Sequence, residues 1–346
     1  MTKLRIGILG ASDIAFRRFL PALQKNSFFE YTCVAIANFE ERNVTKFGDV
    51  QYFVSEKSIE KAENFKDTFN GTIYNSYEEL LSSDNIDAVY IPLPPALHYH
   101  WAKKALENGK HVLLEKPSTT NLEDTKNLLK IAKQKKLAIH ENYAFCYHGQ
   151  VQKIREIIAS GEIGEVRQIR TAFGFPYRGS SDFRYDQSLG GGALLDCGGY
   201  PVKLSTMLLG NESQITTASL NMARGHNVDL FGSATLQNHE GITSHISFGM
   251  DNFYKCELEI WGSNGYLLAP RIFTAPANLK VTLFLNNGQE KVLEVPEDDQ
   301  FLGSLNHFSN CITDEATRLN TYSEIEIQSQ HVHDIFIKSQ NGVFNR

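Results

Sequence analysis

Apolar and polar positions follow two different rhythms along this chain, and the change from one to the other divides it. Residues 4–9 are an apolar run that reads as a buried strand. Over 14–24 the apolar positions Ile14, Phe16, Phe19, Leu20 and Leu23 recur at helical spacing. A strand follows at 31–37, a helical pattern at 58–69 and a short strand at 72–74. Residues 76–81 open like a capped helix, with Glu79 three positions after Ser76. A buried strand at 88–93, a helix at 98–108 ended by Gly109, and a strand at 111–114 complete the series. Strands alternating with helices predict a doubly wound parallel sheet covered on both faces. The stretch 42–56 is polar and aperiodic, and reads as a surface-loop insertion that either serves a ligand or is a plain excursion.

The second rhythm has a period of two. After a helix near 150–160, alternating runs occupy 167–175, 214–223, 229–236, 242–249, 254–261 and 279–285. Turn-forming residues separate several of them, at 238–241, 263–265 and 286–288. Strands in succession predict a mostly antiparallel open sheet with helices on one face, and residues 302–312 read as a closing helix. A face left open most simply buries itself in a homodimer or homotetramer. The expected class is thus α/β, with residues 1–122 as the parallel-sheet domain. Residues 123–346 are expected to form an α+β domain for substrate binding and self-association.

Composition narrows the function. A length of 346 residues suits two domains. Lys and Arg total 34 against 40 Asp and Glu, a formal charge of −6, which leaves no electrostatic footprint for nucleic acid or an anionic membrane. No window approaches the roughly 20 apolar residues of a membrane helix, and the N-terminus lacks a signal-peptide pattern. Cys33, Cys146, Cys197, Cys256 and Cys311 are scattered and odd in number. That argues for thiols in a cytoplasmic protein, with no disulfide framework and no metal site.

Against this background the segment 5–15 stands out. A Rossmann turn needs a glycine for the bend, a small residue where backbone meets pyrophosphate, and a small residue where helix packs on strand. Gly10, Ser12 and Ala15 fill these places, with Ala11, Asp13 and Ile14 between them. Serine replaces the middle glycine, so its φ has to be one that a side chain tolerates. The following helix offers N–H groups and a positive dipole end to a phosphate. At the end of the second strand, Asn38 carries no charge to repel a 2′-phosphate and Arg42 is placed to neutralise one. Glu40 and Glu41 would repel it. The cofactor is therefore NADP or NAD, with NADP favoured.

Two further segments carry chemistry. The strand at 111–114 runs into Glu115, Lys116 and Pro117. Ligands of such sheets bind beyond the carboxyl ends of strands, where Lys116 can donate to a substrate oxygen as hydride moves, and Pro117 is compatible with a cis bond. The run 190–200 is glycine-rich and carries Asp196 and Tyr200, four apart and on one face if helical. A phenol there can exchange a proton with a sugar oxygen. The loop 175–185 mixes arginines with aromatics: Arg178 or Arg184 suits a phosphate, and Tyr185 a base or sugar, unless an Arg pairs internally with Asp182 or Asp186.

With Leu93, Pro94 and His98, these segments make the chain resemble the Gfo/Idh/MocA family of oxidoreductases over nearly its whole length. The tyrosine at 200 is similar to that of its nucleotide-sugar 3-ketoreductases and dihydrodiol-dehydrogenase-like members, and the helix at 14–23 and the run 90–94 resemble the nucleotide-sugar branch in particular. The resemblance implies that Tyr200 and Lys116 are catalytic, the tyrosine as general acid in reduction. It implies that Asp196 positions the sugar, that Leu93, Pro94, His98 and Glu115 line the cofactor, and that Asn142 and Tyr143 lie by the nicotinamide. His148 is either a substrate contact or a structural histidine. The implied reaction is hydride transfer between nicotinamide and a carbonyl of a nucleotide-linked sugar. A dehydrogenase of a free cyclic polyol, sugar or dihydrodiol is the alternative enzyme, and a non-catalytic dinucleotide-sensing regulator the alternative of another class.

Overall fold

The computed structural model describes residues 3–38, 40–41, 56–222 and 225–341. Arg42 and the insertion at 42–55 lie outside them. The chain forms two compact units, one of residues 1–142, 188–190 and 301–326, the other of 143–187, 191–300 and 327–346.

In the first unit six strands form one parallel sheet: β1 (Leu4–Leu9), β2 (Phe29–Ala35), β3 (Thr72–Tyr74), β4 (Ala88–Ile91), β5 (His111–Leu114) and β6 (Ile139–Glu141). Their order is β3-β2-β1-β4-β5-β6, every pair parallel. The order reverses between β1 and β4, which is where such sheets bind dinucleotides. The helices are α1 (Leu20–Lys25), α2 (Glu56–Phe69), α3 (Tyr77–Ser82), α4 (Pro95–Glu107) and α5 (Leu122–Lys135). Ile6, Ile8, Val89 and Tyr90 are fully buried, as expected of central strands covered on both faces.

The second unit holds α6 (Gly149–Ser160), α7 (Gly199–Leu209) and an eight-stranded sheet. Its strands are β7 (Val166–Gly174), β8 (Gln214–Asn221), β9 (Phe231–Gln237), β10 (Thr243–Gly249), β11 (Lys255–Gly262), β12 (Tyr266–Ala269), β13 (Val281–Asn286) and β14 (Glu290–Val295). They run β14-β13-β12-β11-β7-β10-β9-β8. All neighbours are antiparallel except β7 and β10. The inner positions of β11, Cys256, Leu258 and Ile260, are buried, while Trp261 on the other face is 54% exposed.

The sequence pattern does not mark α5 or β12, and two further elements escape it for a visible reason. β14 is an edge strand with one buried residue, Val295, so its alternation is nearly silent. Where one closing helix is expected at 302–312, the chain forms α8 (Gln300–Thr313) and then the long α9 (Glu315–Asn341). In α9, Tyr322 and Ile325 enter the first unit's core and Ile335 the second's, so no single apolar stripe marks it.

Candidate active site

The dinucleotide turn is built as its sequence demands, with the serine explained. Gly10 has φ +92°, and a Cβ there would stand 2.8 Å from Leu93 Cδ2. Ser12 is not among the residues with positive φ, so the missing glycine costs no strain. Its hydroxyl accepts from the Ala15 N–H at 3.2 Å and caps the helix start. Ala15 is fully buried, as close packing of helix on strand requires. Asp13 pairs with Lys61 at 2.8 Å on the surface, and Ile14 is exposed. The helix opens through a wide turn, Ala15–Phe19, in which the Leu20 N–H reaches back to the Ala15 carbonyl. Pro21 follows at once and has no N–H for the Arg17 carbonyl, which the wider turn accommodates.

The ribose position brings a correction. Glu41 is expected to repel a 2′-phosphate, yet its carboxylate is buried and engaged. It accepts from Ser76 Oγ at 2.7 Å, Asn38 N at 2.8 Å, Glu78 N at 2.9 Å and Tyr77 N at 3.0 Å. Glu41 thereby caps the start of α3, and its own N–H donates to Asn38 Oδ1 at 2.9 Å. Such pairing was not legible, because a helix 35 residues away supplies the donors.

The ends of β4 and β5 carry the next group. Pro94 precedes α4, and Pro95 occupies its first turn. The fully buried His98 places Nε2 2.7 Å from the Leu93 carbonyl and Nδ1 2.7 Å from the Pro117 carbonyl. Burial pushes its pKa down to about 4, against the two carbonyls that raise it. Lys116 is half-buried, and the Lys116–Pro117 peptide is cis. Glu115 Oε1 accepts from Tyr90 at 2.7 Å and from Asn142 Nδ2 at 2.6 Å, and Oε2 accepts from the Lys116 N–H at 3.3 Å.

In the second unit the glycine run serves the backbone. A Cβ on Gly191 would lie 2.4 Å from the Arg184 carbonyl oxygen, which accepts from the Gly192 N–H at 2.9 Å. A second wide turn, Leu194–Gly198, leads into α7 shortly before Pro201. Asp196 and Tyr200 have different neighbours. Asp196 is buried and accepts from Arg184 Nε at 2.9 Å. The Tyr200 ring lies 5.1 Å from Phe173, 5.3 Å from Tyr143, 5.7 Å from Phe273 and 5.8 Å from Phe145, an aromatic wall that sequence reasoning missed because its members are far apart in the chain.

The substrate candidates divide. Arg184 also binds Asp182 at 3.0 Å, which is the internal pairing alternative with Asp196 as an additional, unforeseen partner. Burial opposes its charge, but the two carboxylates more than offset that and raise its pKa above the ordinary value. The Tyr185 hydroxyl donates to the Met250 carbonyl at 2.8 Å and accepts from the Arg178 N–H at 3.1 Å. Arg178 itself is exposed, its guanidinium 4.6 Å from the Phe175 ring centroid. His148 Nδ1 caps α6 by accepting from the Gln150 N–H at 3.1 Å, and Tyr143 is fully buried. No cluster of residues suited to a metal ion occurs among the described residues, and none of their helices is long and apolar enough to cross a membrane.

Comparison with known proteins gives a consistent result. The profile described as oxidoreductase family, NAD-binding Rossmann fold (Gfo/Idh/MocA) matches residues 4–143. That of the Gfo/Idh/MocA C-terminal domain matches residues 151–268. The chain is 37% identical to dTDP-3,4-didehydro-2,6-dideoxy-alpha-D-glucose 3-reductase of Saccharopolyspora spinosa, over 89% of this chain and 87% of that one. It is 29% identical to trans-1,2-dihydrobenzene-1,2-diol dehydrogenase of Xenopus laevis, over 70% and 72%. Among solved structures it matches KijD10, a 3-ketoreductase from Actinomadura kijaniata in complex with NADP and TDP-benzene. The TM-score is 0.87 and the identity 31%, covering 97% of this chain and 98% of that one. Structures of KijD10 with one tyrosine or one lysine replaced match as well.

Proposed function

The chain is an NAD(P)-dependent oxidoreductase of the Gfo/Idh/MocA family, and from that premise we propose that it reduces the C3 carbonyl of a nucleotide-linked keto-sugar with NADPH. One observation carries the residue assignment. The lysine and the tyrosine replaced in the KijD10 variants stand as far apart in that sequence as Lys116 and Tyr200 stand in this one.

The residues fit the cofactor. A Cβ would fill the bend at Gly10, and the Ser12-capped helix start follows it. Asn38 brings no charge to the ribose, and Glu41 spends its carboxylate oxygens on four internal donors and is buried away from the ribose position. Leu93, Pro94 and Glu115 line the nicotinamide side, with the buried His98 and Asn142 behind them holding Leu93, Pro117 and Glu115 in place. Bound NADPH supplies the hydride. Lys116 polarises the sugar carbonyl, and the Tyr200 hydroxyl gives its proton to the developing alkoxide. Arg184, held by Asp182 and Asp196, fixes the loop over the sugar. Arg178 meets the diphosphate. Dinucleotide binding is assigned to the first unit, and substrate binding and self-association to the second, in a cytoplasmic enzyme.

Thymidine diphosphate is expected to raise the melting temperature, alone or with NADP. A ligand at a hundred times its Kd adds about 2.7 kcal/mol. No shift at millimolar concentration would move the assignment to a free polyol or dihydrodiol, the substrate class of the Xenopus relative.

Self-association is assigned to the outer face of the second sheet. Trp261 pairs across the strands with Tyr266, and Leu268 with Phe284, which pairs with Val292. Trp261, Tyr266, Phe284 and Val292 are 40–65% exposed, a continuous apolar row that a second copy would cover. Sedimentation should show an oligomer that Trp261→Lys with Phe284→Lys reduces to monomers. A monomeric wild type would refute the assignment.

A further inference from the structure

We infer that Ser304 and His140 are positioning residues that set the orientation of Asn142 and Glu115, next to Lys116. The inference rests on the proposed function for its consequence and on the first unit's geometry for its substance. Ser304 lies on α8, His140 on β6 and Asn142 directly after β6, all three 3% exposed or less. His140 Nε2 is 2.9 Å from Ser304 Oγ, Ser304 Oγ is 2.7 Å from Asn142 Oδ1, and Asn142 Nδ2 is 2.6 Å from Glu115 Oε1.

Proton accounting gives this chain one direction. An ionised carboxylate only accepts, so the Asn142 amide turns its NH₂ to Glu115 and its oxygen to Ser304. That oxygen also only accepts, so the single Ser304 proton is spent on it. Ser304 Oγ is then left as an acceptor toward His140, which must carry its proton on Nε2. Every donor in the sequence His140, Ser304, Asn142 points toward Glu115, where Tyr90 adds another at 2.7 Å. An amide in the middle does not relay protons, so the chain orients groups and moves none.

Removing the serine hydroxyl would leave the Asn142 oxygen and the His140 N–H unpaired in the interior, and either side chain would turn to find a partner. Glu115 would lose its fixed neighbour, and the end of β5 that presents Lys116 would loosen. Neither residue announces itself in sequence: one is a serine in an amphipathic helix, the other a histidine in a short strand.

Two measurements decide. In the wild-type protein, long-range proton–nitrogen spectra of His140 should show the Nε2–H tautomer at neutral pH. A bare Nε2 with the proton on Nδ1 overturns the inference without any assay. In kinetics, Ser304→Ala should lower kcat about tenfold to a hundredfold, the scale of a small misplacement, with the KM for NADPH within a factor of about three. Ser304→Thr, which keeps the hydroxyl, should recover most of the rate. Equal rates for Ser304→Ala and wild type also overturn it. A wild type that binds NADPH but reduces no nucleotide keto-sugar overturns the proposed function alone, and the spectra still decide the orientation. If Ser304→Ala does not fold, the wild-type spectra decide by themselves.

Discussion

Tyr200→Phe is expected to lower kcat by about 10²–10⁴, the usual worth of a positioned general acid, while NADPH binds as before. The ring lies among Tyr143, Phe145, Phe173 and Phe273, and phenylalanine keeps those ring contacts. Only the hydroxyl leaves, so the loss belongs to proton transfer and not to packing. Lys116→Ala should produce a loss of similar size, because the developing alkoxide then lacks its cation. Lys116→Arg should not restore the rate, since a planar guanidinium does not reproduce a compact ammonium. Single-turnover NADPH oxidation with a keto-sugar, beside a fluorescence titration of NADPH, separates chemistry from binding. Rates near wild type in both variants would remove Tyr200 and Lys116 from the mechanism. A fall in NADPH affinity that accounts for the whole loss would reassign them to cofactor binding.

Much of the fold was legible because its signals are local. β1, the turn at Gly10 and the helix after it follow one another directly between Leu4 and Lys25, and each constrains the next. The strands of the second unit were readable where one face is buried over a long run, as in β11, and unreadable where the strand is only four residues long, as in β12, or almost wholly uncovered, as in β14. The backbone of the dinucleotide turn was legible, and the partnerships of the polar side chains less so. Glycine, serine and alanine at 10, 12 and 15 specify a backbone shape, and the structure supplies it. Arg184 could be paired with a neighbouring aspartate on paper, but Asp196 reaches it only through the fold. Glu41 shows the same limit more strongly. Its charge near the ribose argues against NADP, but the start of α3 buries the carboxylate and takes up its hydrogen-bonding capacity. Long-range hydrogen bonds between common polar residues leave no periodic trace, and they decide which charges a ligand would meet.

Acidification from pH 7 to about 4 is expected to destabilise the first unit. His98 and His111 are both pushed down from 6.5 to about 4 by burial, with the charges of Lys116 and Arg318 respectively acting in the same direction. Between those pH values the unfolded chain binds protons that the folded one refuses, so stability falls as pH drops through the window and levels off beyond it. For His98 the difference amounts to roughly 3 kcal/mol, and for the less buried His111 somewhat less. The cause at His111 is visible: Nδ1 accepts from the Ala138 N–H at 2.9 Å, and protonation destroys that bond. At His98 a neutral ring donates to only one of the Leu93 and Pro117 carbonyls, whereas an imidazolium would donate to both. An imidazolium would mean a raised folded pKa and greater stability on acidification. Asp87, lowered from 3.8 by its bonds to Arg5, acts in a separate window at lower pH. His100, His148 and His331 are also lowered, so single substitutions are needed to apportion the slope. Urea unfolding followed by the fully buried Trp101, three residues from His98, reports the first unit directly. His98→Gln and His111→Gln should each remove about one proton from the pH dependence. Stability that rises toward pH 4 and falls back in His98→Gln would establish the doubly protonated ring, and no change in slope in either variant would assign the acid sensitivity elsewhere.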